Sequence, residues 1–181
     1  MIAVEQDIQA ILAARAQALA QPLVDAALAA GDLQLVVLQV GDERYALRSE
    51  WVEEVQSLSR ITPVPGLAHH WRGLVNLRGR LFPVLDLQQY LVDIGLLNGC
   101  AAPAGDQRLV LVTASGCTVA LLVDDVPAVR SLAQTDIEPS LVEPQGALNA
   151  MLPGITTDLM TMLDLPAMFA DQRLLVGSRQ I

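Results

Sequence analysis

From Leu33 onward the chain is written in short, Val- and Leu-rich runs cut at close intervals by turn signals, and this punctuation constrains the fold more than any other feature. Leu33–Val40 is followed by Gly41-Asp42 and a second run, Arg44–Leu47. Gly73–Leu77 and Leu81–Asp86 flank Arg78-Gly79-Arg80. Arg108–Ala114, Thr118–Val123 and Val126–Leu132 are separated only by Ser115-Gly116 and Asp124-Asp125, and Met151–Thr156 and Leu159–Leu165 close the series around a turn at Thr157-Asp158. Such runs have the length of strands, and closely spaced strands with tight connections build small barrels or sandwiches. Each half of the chain supplies about five of them. Between the runs, Ser49 is placed to cap a single helical turn, while Val52–Leu58 fits strand or helix. Ile61–Gly66, with Pro63 and Pro65, reads as a stiff extended connector. Leu87–Leu97 predicts a short helix, 98–106 a linker and Ile137–Ala150 a loop.

Residues 5–30 follow a different rule. They are Ala-rich, and Ile8, Ile11, Leu12 and Leu19 fall on one helical stripe. Pro22 should end or kink this helix near Gln21, and a second piece from roughly Leu23 to Ala30 should stop at Gly31. The expected organisation is a helical extension over 1–31, a β body over 32–169 and a C-terminal tail over 170–181. Within the body, the first barrel is expected at about 33–92 and the second at about 107–169. The extension is expected to pack on its own domain, with partner binding as the alternative.

Charge and composition then exclude several functions. Of 181 residues, 20 are Asp or Glu and 11 are Lys or Arg, a net charge of −9. Every basic residue is Arg, so a Walker-A phosphate loop, a Schiff base and a lysine general base are all excluded. Nucleic acid is not expected as a partner, because phosphate binding needs a clustered positive surface. No apolar run approaches the ~18 residues needed to span a bilayer, and Glu5 and Asp7 stand where a secretory leader would be apolar. A cytoplasmic chain without membrane insertion is the expectation. Cys100 and Cys117 are too few for a disulfide framework or a zinc site.

No catalytic set emerges. His69 and His70 are adjacent in the Pro/Gly-rich connector and are expected to be exposed. The carboxylate pairs Asp42-Glu43, Glu53-Glu54 and Asp124-Asp125 are sequence neighbours, which do not converge on one reacting centre. No catalytic residue, metal site or cofactor is expected. Asp86, ending an apolar run, is placed to cap the next helix. Arg78 lies at a hairpin tip; composition alone favours an exposed turn charge over a guanidinium that grips a partner's carboxylate or carbonyls.

The run Ile61-Thr62-Pro63-Val64-Pro65-Gly66, followed by Arg72-Gly73-Leu74-Val75-Asn76-Leu77-Arg78-Gly79-Arg80-Leu81-Phe82-Pro83-Val84-Leu85-Asp86-Leu87, resembles the signature stretch of the CheW family of chemotaxis coupling proteins. Val119–Val126 resembles the family's apolar–Val-Asp-x-Val strand pair, and Leu163-Asp164-Leu165 its closing strand. The similarity runs from about Leu33 to Phe169. It implies a mainly β fold of two SH3-like five-stranded barrels without catalysis or cofactor. It also implies two partners: chemoreceptor cytoplasmic tips and the regulatory domain of a CheA-type histidine kinase, in a membrane-proximal array. The family's receptor-contacting arginine falls on Arg78, which reverses the composition-based preference. The implied partner-binding set is Arg78 with Val75, Asn76, Leu77, Gly79 and Arg80. Gly66, Gly73, Pro83 and Asp86 are expected to shape the backbone around it. Ala120 and Asp125 stand where the family commonly has Gly, Ile137–Ala150 is hard to match, and the helical extension is unusually long. These departures point to a divergent member from a pilus-motility or surface-sensing system. The alternative is a small-molecule-sensing regulatory domain that uses the cleft between the barrels.

Overall fold

Turn chemistry and β-rich runs produce twelve strands in the computed structural model, which describes residues 32–99, 105–139 and 150–174. The helical extension expected over 1–31 and the centre of the linker, 100–104, lie outside the described residues, as do 140–149 and 175–181. In chain order the strands are β1 (Asp32–Val40), β2 (Glu43–Arg48), β3 (Val52–Ser57), β4 (Ile61–Thr62), β5 (Trp71–Leu77) and β6 (Arg80–Asp86). Helix α1 (Leu87–Asp93) follows, then β7 (Arg108–Ala114), β8 (Cys117–Val123), β9 (Asp125–Ala133), β10 (Ile137–Pro139), β11 (Gly154–Thr156), β12 (Thr161–Met162) and helix α2 (Leu165–Phe169).

The fold is mainly β, in two six-stranded sheets of order β10-β11-β12-β2-β1-β9 and β3-β7-β8-β6-β5-β4. In the first, β9 and β10 lie at opposite edges yet are joined only by the 3₁₀ turn Gln134–Asp136; in the second, residues 58–60 alone join edge strands β3 and β4. Such short connections draw opposite edges together, so each sheet curls into a small barrel and its edges are covered.

The strand pairing does not follow the two halves of the chain. β1 and β2, from the first half, pair with β9 and β12; β7 and β8, from the second, pair with β3 and β6. A division at about 92–107 therefore separates neither sheet. The chain leaves the first sheet through the 3₁₀ turn Ser49–Trp51 and returns at Asp124, whose Oδ2 accepts from the Gly41 amide at 2.6 Å. Local turn signals specify hairpins, whereas the choice of a distant strand partner rests on matching buried faces.

Those faces form three apolar clusters. Val36, Leu38, Tyr45 and Leu47 of the first sheet meet Leu85, Val110 and Leu121 of the second, with Leu87, Tyr90 and Leu91 of α1 beside them. Leu35, Val37, Ala46, Met160 and Met162 fill the interior of the first barrel. Val75, Leu77, Phe82, Val84, Leu109, Leu111, Ala120 and Leu122 fill the second. Central strands thus bury both faces, which is why β1 and β8 read as nearly continuous apolar runs.

Both helices begin on an aspartate. Asp86 Oδ1 accepts from the Gln89 amide at 3.0 Å, and Asp164 Oδ1 from the Ala167 amide at 2.8 Å. Replacing either by Ala should cost about 1 kcal/mol and lower the calorimetric Tm by about 3 °C. Other expectations are corrected. Ser49 lies inside its 3₁₀ turn and caps nothing; Arg48 occupies the cap position without a side-chain bond. Ile137–Pro139 is a strand, not loop, because it pairs with Gly154–Thr156. The final runs are shorter than expected: residues 151–153 precede β11, and Leu159–Leu165 gives two strand residues before Asp164 starts α2, with Pro166 in its first turn. The tail is also not wholly a tail, since Leu174 is buried in the central cluster.

Candidate partner-binding hairpin

Strands β5 and β6 pair from Leu77↔Arg80 back to Trp71↔Leu85, leaving Arg78 and Gly79 as the turn. Both have positive φ, +51° and +82°, the signature of a type I′ turn whose twist matches the flanking strands. Gly suits the second position; Arg at the first carries a left-handed penalty of roughly 1 kcal/mol. Asn76 supports the turn, its Oδ1 accepting from the Gly79 amide at 2.9 Å. Arg78 Nη2 donates to Glu54 Oε1 on β3 at 2.6 Å, and Gln56 Nε2 donates to the same oxygen at 2.6 Å. The Arg78 side chain is nevertheless 78% exposed against 25% for Glu54. One edge of the guanidinium is tethered and its remaining donors face solvent.

Strand alternation sorts the expected partner-binding set. Asn76, Arg78, Gly79 and Arg80 are exposed, and the Arg80 guanidinium lies over the Phe82 ring at 5.0 Å. Val75 and Leu77 are corrected: at 0% and 6% exposure they belong to the core of the second barrel and cannot present side chains to a partner. Sequence reasoning missed Leu81, which is 64% exposed opposite Asn76. Period-two alternation carried that signal, since inward Val75 and Leu77 place Asn76 and its cross-strand neighbour outside.

Beneath the tip, Gly73 has φ +129°, and a Cβ there would lie 2.1 Å from the Thr62 carbonyl oxygen. Gly66 also has positive φ, +83°, but open space around it. Counting back from the closing pair makes Leu74↔Pro83 a non-hydrogen-bonded pair, so the side of Pro83 that lacks N–H points away from β5. On that side β6 first pairs with β8 at Val84, so no ladder bond is lost.

Two of the other carboxylates singled out in the sequence are tied to structure. Glu53 accepts from Thr113 Oγ1 at 2.5 Å, and Asp125 pairs with Arg108 at 3.6 Å. Cys117 is exposed at the start of β8, and Cys100 lies outside the described residues. Burial, helped by hydrogen bonds to Glu43 and Asp171, pushes the hydroxyls of Tyr45 and Tyr90 far above the ordinary tyrosine range. Against expectation, His70 is buried, with 4% of its surface exposed; Nδ1 lies 2.8 Å from Asp93 Oδ2 and Nε2 3.2 Å from the Arg173 carbonyl oxygen. Among the described residues no three His, Cys, Asp or Glu side chains are grouped to hold a metal ion, and no helix is long and apolar enough to cross a membrane. Side chains of the central cluster occupy the space between the sheets, where the alternative reading places a ligand cleft.

Comparison with known proteins bears on the whole body. A family model described as CheW-like domain matches residues 34–173. The chemotaxis protein CheW of Treponema pallidum (strain Nichols) is 24% identical over 149 residues, covering 78% of this chain and 84% of its own length. Chemotaxis protein CheW of Rhizobium meliloti (strain 1021) is 27% identical over 110 residues, 61% of this chain and 68% of that protein. Protein FrzA of Myxococcus xanthus is 31% identical over 115 residues, 63% of this chain and 68% of its own. The crystal structure of the scaffolding protein TtCheW from Thermoanaerobacter tengcongensis superposes with a TM-score of 0.67 at 26% identity, covering 78% of this chain and 95% of that one. The paired sheets, the Arg78 hairpin and these matches lead to one conclusion: the chain belongs to the CheW family.

Proposed function

We propose that this chain is a non-catalytic coupling scaffold that joins chemoreceptor cytoplasmic tips to the regulatory domain of a CheA-type histidine kinase, in the cytoplasm beneath the membrane. The observation that carries the reading is Arg78. A charged side chain is held in a costly left-handed conformation, tethered on one edge by Glu54 and exposed on the other. A guanidinium fixed in this way loses little freedom on gripping a partner's carboxylate or carbonyl oxygens. Leu81, 64% exposed, adds apolar area beside it. The net charge of −9 keeps nucleic acid and anionic lipid away, so the chain reaches the membrane through its receptor.

Affinity purification of the tagged chain from its native cell tests this reading. Co-enrichment of a chemoreceptor and a histidine kinase is the expected result, and recovery of neither overturns it. The tether has its own test: Glu54→Ala should weaken binding to the receptor tip about three- to tenfold by freeing the guanidinium, with the melting curve unchanged. Titration calorimetry with a receptor cytoplasmic fragment measures it.

A further inference from the structure

His70 has no role in the hairpin, yet its ring is buried, with 4% of the residue's surface exposed. Its backbone is fixed by the turn bond from the Trp71 amide to the Ala68 carbonyl, 2.9 Å, and its own carbonyl accepts from the Asp86 amide at 2.8 Å. The ring packs edge-on against Tyr90, with centroids 5.8 Å apart, and tilted against Trp71 at 6.0 Å. Both ring nitrogens then meet groups that can only accept: the Asp93 carboxylate on α1 and the carbonyl of Arg173 in the C-terminal 3₁₀ turn Gln172–Leu174. A neutral imidazole has one N–H and can satisfy one of these; only the imidazolium satisfies both. At 4% exposure, water is poorly placed to replace the bond that is lost.

We propose that His70 is a proton-operated latch that fastens the C-terminal turn to helix α1. The carboxylate is the stronger acceptor and the closer one, at 2.8 Å against 3.2 Å, so a ring that loses one proton keeps Nδ1–H on Asp93 and releases the Arg173 carbonyl. The charges around the ring support this order. Burial opposes ionisation of Asp93, but hydrogen bonds from His70 and Gln89, with the charges of His70 and His69, outweigh it and hold the carboxyl below the usual range. From the C-terminal turn, Arg173 and Asp171 lie 3.9 Å apart and offset one another, and the Tyr90 hydroxyl is spent on Asp171 at 2.9 Å. On the β5–β6 side, Arg72 and Asp86 form a similar pair at 3.7 Å. The turn keeps its Tyr90–Asp171 bond and the buried Leu174 when the latch opens, so it loosens without unfolding the body. The sign is set by the imidazolium: the latch is closed while both ring nitrogens carry protons and opens when Nε2 gives its proton up.

The test uses the intact protein labelled with ¹⁵N-histidine, together with amide exchange at Leu174, whose N–H donates to the Asp171 carbonyl at 3.0 Å. At the acid end of a pH series both His70 ring nitrogens should carry protons. At its alkaline end Nε2 should have lost its proton, and Leu174 protection, corrected for the intrinsic rate, should fall about tenfold while Leu121 is unchanged. Asp93→Asn should move this transition to lower pH, and His69→Gln should leave it in place. An Nε2 that stays unprotonated across the series with constant Leu174 protection overturns the proposal, as does an Asp93→Asn variant whose transition does not move.

Discussion

Gly73→Ala should lower the stability of the β body by about 3–4 kcal/mol and its Tm by about 10 °C. Two penalties coincide at this position. A φ of +129° is open to glycine and closed to alanine, and the added Cβ would sit 2.1 Å from the Thr62 carbonyl oxygen and 2.8 Å from Pro63 Cα. Both obstructing atoms are backbone, so relief requires β4 to move. β4 is two residues long and pairs with β5 through Ile61↔Val75 and Thr62↔Leu74. Displacing it uncovers Ile61 and the interior cluster of the second barrel. Gly66→Ala is the control, since it meets positive φ without a clash and should cost only about 1 kcal/mol. Equal losses for the two variants in urea melts would refute the steric explanation.

Arg78→Glu should reduce affinity for the receptor tip at least about thirtyfold while leaving the melting curve within ~0.5 kcal/mol of the parent. The reversal removes the exposed donors and sets a carboxylate against Glu54, at a surface pair too solvated to matter to the fold. Arg78→Lys should fall between the two, because an ammonium keeps the charge and loses the planar fork. Arg78→Gly separates binding from folding most sharply. It removes the left-handed penalty and should raise stability by up to ~1 kcal/mol, yet it should bind as poorly as the charge reversal. A glycine variant with parental affinity, by the same calorimetric titration, would show that the hairpin backbone and not its guanidinium makes the contact.

These two positions differ in what local sequence dictates about them. The hairpins were legible because Gly41-Asp42, Arg78-Gly79 and Ser115-Gly116 are local signals that the observed positive φ values reproduce. The helix starts were legible at Asp86, where a carboxylate ends an apolar run. Pairing across the halves was not, since nothing near β1 says that its second neighbour is β9, more than eighty residues downstream. Short strands such as β10 and β12 carry too few residues for a period to register and exist through their partners. At the hairpin, the motif identifies the segment, whereas alternation decides which of its members face out; the motif includes Val75 and Leu77, whose place is the core. The burial of His70 is hidden for a related reason. A Pro/Gly-rich connector is usually exposed, but α1 and the C-terminal turn close over this one from distant parts of the chain.

The coupling role is tested most directly by mixing the purified chain with a receptor cytoplasmic fragment and the kinase regulatory domain, and weighing the products by sedimentation velocity. One complex containing all three, formed only when the chain is present and lost with Arg78→Glu, is the predicted result. Receptor and kinase fragments that sediment apart, with the chain bound to one or to neither, would contradict it.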